Sequence, residues 1–120
     1  MHVRGAVFRY EHTVLRSGGG FGEAPKYLIL LQTPTDTDVG ATQAAYVIAS
    51  TRRTGGAAPR SFEVVLDESD GFHHPTIVDG RWVYTLPRSE LGNQDYQFAL
   101  TDDRVAELSV AVFIGLQLQT

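Results

Sequence analysis

Thr101-Asp102-Asp103-Arg104-Val105-Ala106-Glu107-Leu108-Ser109-Val110-Ala111-Val112-Phe113-Ile114-Gly115-Leu116 is the stretch on which the fold turns. Val105, Leu108, Val112 and Leu116 recur at helical spacing, while Val110, Val112, Ile114, Leu116 and Leu118 alternate as a strand would. The start of the segment favours a helix. Thr101 is a good N-cap, and Asp102 and Asp103 place negative charge against the positive end of a helix dipole. The segment is therefore read as a helix over Asp102–Leu116.

Working back from that helix, the chain reads as short extended pieces. Arg81–Leu86 and Thr76–Val78 look like strands, with a tight-turn signal at Asp79-Gly80 between them. Pro87–Gly92 suits one helical turn closed by glycine. Ser61–Leu66 reads as a strand followed by an acidic turn, Asp67–Gly71. Ala44–Ser50 is an apolar run, and Tyr27-Leu28-Ile29-Leu30-Leu31 is an unbroken one that suits a strand buried on both faces. Val3–Glu11 alternates loosely as a first strand. Between it and Tyr27 lie Gly18, Gly19, Gly20 and Gly22, which read as the flexible tip of a long hairpin. Many short strands, glycine- and proline-rich turns and one late helix describe a mainly β small barrel with a C-terminal helix.

A chain of 120 residues is expected to form one domain over residues 1–120. It contains no cysteine, which excludes disulfides and thiolate metal sites and fits a reducing compartment. Met1-His2-Val3-Arg4-Gly5 has no apolar run behind it, and Val110–Leu116 is far short of the ~20 residues of a membrane span. A cytoplasmic location with no membrane association is expected. The net charge of −4 argues against a strong non-specific nucleic-acid binder. A local basic cleft remains available, with Arg52 and Arg53 as the obvious cationic pair.

Four histidines offer acid–base chemistry near neutral pH, His73 and His74 foremost and His12 after the first strand. Asp67, Glu68 and Asp70 lie near the His pair, but the spacing defines no fixed ligand geometry, so no metal and no cofactor are expected. The glycine loop lacks Gly-Lys-Ser/Thr, which argues against a nucleotide site. Trp82 and Tyr84 suit either base stacking or the core, with core or interface favoured.

Three stretches, in order, resemble the MazF/PemK family of bacterial ribonuclease toxins. They are Arg4-Gly5-Ala6-Val7-Phe8; the glycine loop through Pro25-Lys26-Tyr27-Leu28-Ile29-Leu30-Leu31-Gln32; and Gly71-Phe72-His73-His74-Pro75-Thr76-Ile77-Val78 with Thr85–Leu91 and Leu100-Thr101 leading into the helix. The resemblance implies an SH3-like small β-barrel of the MazF/PemK/CcdB type, usually a homodimer. It implies metal-independent cleavage of single-stranded RNA by attack of the 2′-hydroxyl, leaving a cyclic phosphate and a 5′-hydroxyl. It implies a cognate antitoxin that inserts an acidic, partly disordered segment.

On that resemblance Lys26 takes the position of a family Arg and Thr51 that of a family Thr, the two catalytic candidates, with Ser50 the alternative to Thr51 if the register slips. Tyr27 stands where the family has Pro. Lysine keeps the charge of Arg but not its bidentate fork. Arg52 and Arg53 would grip RNA, Thr76 would sit at a family Ser on the RNA surface, and the loop with Gly19 and Gly20 would cover RNA or be ordered by an antitoxin. The alternative function is a catalytically weak relative that acts by protein binding, as a CcdB-like gyrase poison or a regulatory domain.

Overall fold

The apolar run expected to be buried on both faces lies near the middle of a seven-stranded sheet. The structure, a computed structural model, describes residues 4–10, 16–17, 20–21, 26–32, 43–51, 58–87, 89 and 91–118, with backbone alone at 16, 17, 20, 21, 26, 32, 43 and 51. Its strands are β1 (Ala6–Tyr10), β2 (Arg16–Ser17), β3 (Gly20–Phe21), β4 (Lys26–Gln32), β5 (Gln43–Thr51), β6 (Glu63–Leu66), β7 (Thr76–Asp79), β8 (Tyr84–Pro87) and β9 (Tyr96–Ala99), followed by helix α1 (Asp102–Gln117). The sheet order is β6-β7-β5-β4-β1-β9, with β8 also on β5. All its ladders are antiparallel, and β2 and β3 form a separate two-stranded ladder.

Both faces of the central strands are covered. Val7, Ile29, Val47 and Ala49 belong to one buried cluster, which continues into Val64, Leu66 and Val78 and onto the helix through Val105, Leu108 and Ala111. Ala6, Phe8, Leu28, Leu30, Tyr46 and Ile48 point the other way, into a cluster with Tyr10, Ala44 and Leu91. Two-sided burial is why the run at Tyr27–Leu31 shows no polar alternation. Each fully buried side chain of this kind contributes about 1.5–3 kcal/mol before entropy is counted.

Strand β5 is long enough to share one edge between two neighbours. Ala49, Ser50 and Thr51 pair with Val78, Ile77 and Thr76 of β7, while Gln43–Tyr46 pair with Pro87–Tyr84 of β8. The Asp79-Gly80 turn forms, but β7 and β8 do not pair with each other as a hairpin would require. Its glycine also serves another purpose. Gly80 is not among the described glycines with positive φ. A Cβ there would strike the Ala111 carbonyl, and a Cβ on Gly115 would sit 2.5 Å from the Gly80 carbonyl carbon. The two glycines let α1 cross the turn at backbone distance. The turn itself is tied by the Asp79–Arg81 ion pair at 2.7 Å and by the Gly80 amide donating to the Phe62 carbonyl at 2.7 Å.

Helix α1 begins as expected. The Thr101 hydroxyl accepts from the Arg104 amide at 3.4 Å, with Asp102 and Asp103 in the first turn. Its buried stripe differs from the expected one. Ala111 and Gly115 take the inner face, Val112 is half-buried and Leu116 is 48% exposed, because the close crossing admits only small residues. Arg4 fixes the other side of the helix: Nε donates to the Leu31 carbonyl at 2.9 Å and Nη2 to Ser109 Oγ at 2.8 Å. The helical turn expected at Pro87–Gly92 includes 88 and 90, which lie outside the described residues. Pro87 ends β8, and Gly92 precedes a 3-10 turn at Asn93–Asp95 rather than closing a helix.

Candidate functional site

Beyond β6 the chain makes one tightly bonded turn before entering β7, and that turn builds a pocket wall. The Asp67 carboxylate accepts from the Ser69 amide at 2.9 Å and the Ser69 hydroxyl at 2.6 Å, and the Asp67 amide donates to Asp70 Oδ2 at 3.0 Å. This reciprocal bonding caps the 3-10 turn Glu68–Asp70. The hydroxyl of Ser69, then its amide, hold the Asp67 carboxyl below its usual range. Asp70 Oδ1 accepts from Arg104 Nε at 2.9 Å, which fastens the turn to α1; Arg104 also reaches Glu107 at 2.8 Å. Gly71 leaves the turn at φ 118°, a left-handed conformation open to glycine, and any Cβ there would lie 2.8 Å from the Phe98 ring.

Phe72 follows and is buried. Its ring meets Phe98 edge-on at 4.9 Å and Tyr27 at 5.9 Å between centroids. Phe98 belongs to β9 at one end of the sheet order and Phe72 follows β6 at the other. The two rings therefore draw the ends of the sheet together and curl it. Above them lies a pocket of about 260 Å³, lined by Tyr27, Ala49, Ser50, Gly71, Phe72, His73, His74, Thr76, Gln97 and Phe98.

Four of the expected site residues converge here: Ser50, His73, His74 and Thr76. Thr76 is buried, and its hydroxyl donates to the His74 carbonyl at 3.0 Å, so it also braces the loop that carries the histidines. The two imidazoles are exposed, with ring centroids 6.3 Å apart. Lys26 and Thr51 are placed by backbone register alone. Tyr27, next to Lys26, pairs with Ala49, and Thr51 pairs with Thr76. Both thus sit beside pocket-lining residues at the same end of adjacent strands.

Gly20 lies in β3, paired with Ser17. His12, Gly19, Arg52 and Arg53 fall outside the described residues. Trp82 and Tyr84 do not line the pocket; Tyr84 packs against the second cluster, and Trp82 buries its indole Nε1 without a hydrogen-bond partner among the described residues.

Gln97 and Phe98 were missed because Tyr96–Ala99 was not read as a strand, although Tyr96 and Phe98 alternate with Gln97 and Ala99. Among the described residues, no three His, Asp or Glu side chains are grouped to hold a metal ion. Asp67 and Asp70 spend their carboxylates on the turn and on Arg104.

No family model and no curated protein matches the chain. Solved structures do. An endoribonuclease in complex with its cognate antitoxin, from a Mycobacterial species, matches with TM-score 0.64 at 22% identity, over 97% of this chain and 95% of that one. The Mycobacterium tuberculosis toxin MazF-mt6 matches with TM-score 0.64 at 17% identity, over 95% and 97%. An endoribonuclease from a Mycobacterial species matches with TM-score 0.65 at 20% identity, over 96% and 90%. Likeness at this level of identity carries architecture, and the mainly β curled sheet with a C-terminal helix seen here is the MazF-type toxin fold.

Proposed function

We propose that this chain, one domain over residues 1–120, is the toxin of a toxin–antitoxin pair, an endoribonuclease that cleaves single-stranded RNA without a metal. The observation that carries the proposal is the convergence of Ser50, His73, His74 and Thr76 above an aromatic floor, at the strand ends where Lys26 and Thr51 also lie. The fold likeness to endoribonucleases, one of them in complex with its antitoxin, supports it.

In the proposed reaction the ribose 2′-oxygen bonds to phosphorus as its proton passes to a base. The bond from phosphorus to the 5′-oxygen then breaks, and that oxygen takes a proton from an acid. The products are a cyclic phosphate and a 5′-hydroxyl. His73 and His74 are the candidates for base and acid, since proton transfer by a positioned side chain suits both steps. Lys26 would hold the phosphate as negative charge builds, with hydroxyls from Thr51 or Ser50 donating to its oxygens. Arg52 and Arg53 would bind neighbouring phosphates, and the glycine segment with Gly19 and Gly20 would cover the RNA or be ordered by an antitoxin.

The expected partners are single-stranded RNA, an antitoxin with an acidic disordered segment and a second copy of the chain. No helix among the described residues is long and apolar enough to cross a membrane. A cytoplasmic location follows from the proposed substrate. The test is incubation of purified protein with mixed-sequence RNA in chelator. Cleavage leaving 5′-hydroxyl ends, slowed by about 10²–10³-fold in Lys26→Ala, is expected. Intact RNA alongside inhibited gyrase would transfer the function to the protein-binding alternative.

A further inference from the structure

We infer that the pocket receives one unstacked base of the RNA, and that Gln97 reads its edge. This inference rests on the ribonuclease proposal and assigns a substrate subsite within it. At about 260 Å³ the pocket is smaller than the ~300–1,000 Å³ that hold drug-sized ligands, so it fits a single ring system with little else.

Its floor is aromatic. Phe72 meets both Tyr27 and Phe98 edge-to-face, so the rings give a base a rigid apolar surface without first losing rotamer freedom. Gly71 lets Phe98 lie against the backbone at the pocket's edge.

A polar edge-reader stands over that floor. Gln97 Nε2 donates one hydrogen to the Asp95 carbonyl at 3.2 Å, which orients the carboxamide. Among the described residues Oε1 and the second N–H take no other partner and present an acceptor and a donor in one plane. That pairing reads base edges, and single-stranded RNA exposes those edges once its bases unstack. Gln97 is exposed on β9, so substituting it removes the reader and leaves the core alone.

The test uses short 2′-O-methyl homo-oligonucleotides of A, C, G and U, whose blocked 2′-oxygen prevents cleavage, with binding followed by fluorescence anisotropy at fixed salt. For the parent protein a spread of roughly tenfold between the best- and worst-bound base is expected. Gln97→Ala should shrink the spread to about twofold while thermal unfolding stays unchanged. Gln97→Glu should raise guanine in the ranking, because N1–H and N2–H of guanine can both donate to a carboxylate.

Equal binding of all four bases by the parent, no binding of any, or a spread that survives Gln97→Ala overturns the inference. A base preference with uncut 2′-hydroxyl RNA would refute the nuclease proposal and leave the subsite standing. Cleavage without any base preference would do the reverse.

Discussion

The pocket beneath His73 and His74 holds about 260 Å³ and the groove between α1 and β6 about 580 Å³, yet the smaller one gathers the chemistry. The groove is shallow and largely aliphatic, walled by Pro59, Val64, Ala106, Val110 and Ala111, with Glu63, Arg104 and Glu107 at its margin. The pocket joins hydroxyls, imidazoles and a carboxamide to three aromatic rings. One residue connects the two hollows. Arg104 lines the groove and bonds to Asp70, whose neighbour Gly71 lines the pocket. Room alone does not mark a candidate site; convergent polar groups over an apolar floor do.

The sharpest way to break this contrast is to remove charge from one side and bulk from the other. Lys26→Ala should slow RNA cleavage by about 10²–10³-fold, the usual loss when a transition-state donor is deleted. Val110→Ser, in the groove, should leave initial rates unchanged. Equal losses would show that the groove belongs to the site.

Two glycine substitutions come next. Gly71→Ala forces a side chain into a left-handed conformation against Phe98, and Gly80→Ala drives one into the backbone of α1. Each should cost about 1–3 kcal/mol in urea unfolding. Only Gly71→Ala should also weaken binding of single-stranded RNA. The pair thus separates damage to the pocket from damage to the fold.

Arg104→Met removes two ion pairs, to Asp70 and to Glu107, and should cost about 1–2 kcal/mol. Because the turn at Asp67–Gly71 loses its anchor, KM for RNA should rise a few-fold while kcat holds, and Arg104→Lys should restore part of the loss. A variant that lowers kcat alone would show that Arg104 does not position the pocket wall.

The smallest effect is a pH dependence. Hydrogen bonds from the Ser69 hydroxyl and amide hold the Asp67 carboxyl below its usual range, so the unfolded chain binds its proton first as pH falls. The contribution is complete above the ordinary carboxylate pKa and disappears as pH drops through the lower folded value. The gap in denaturation midpoint between the parent and Asp67→Ala should therefore be present at about pH 6 and narrow by about pH 3. A gap that widens on acidification would contradict this sign.

Much of this was legible in the residues. Thr101, Asp102 and Asp103 marked the helix start, and the unbroken Tyr27–Leu31 run marked a strand covered on both faces. Asp79-Gly80 was legible as a turn, but not as one whose glycine faces a helix, since a close approach from another element leaves no local pattern. The same blindness affected Leu116, whose helical spacing suggested burial that Gly115 supplies instead. At the pocket, His73, His74, Ser50 and Thr76 stood out by chemical type. Gln97 did not, because an amide on a four-residue strand carries no signal until Asp95 orients it and Phe98 turns the strand inward.

The divided edge of β5 has a kinetic consequence. One backbone carries two separately breakable ladders, Ala49–Thr51 against β7 and Gln43–Tyr46 against β8. Local opening at the β8 end can proceed without disturbing the pairing beneath the pocket. In amide hydrogen exchange the two halves of a single nine-residue strand are then expected to report different protection, and a bound oligonucleotide to slow exchange in the Ala49–Thr51 half only.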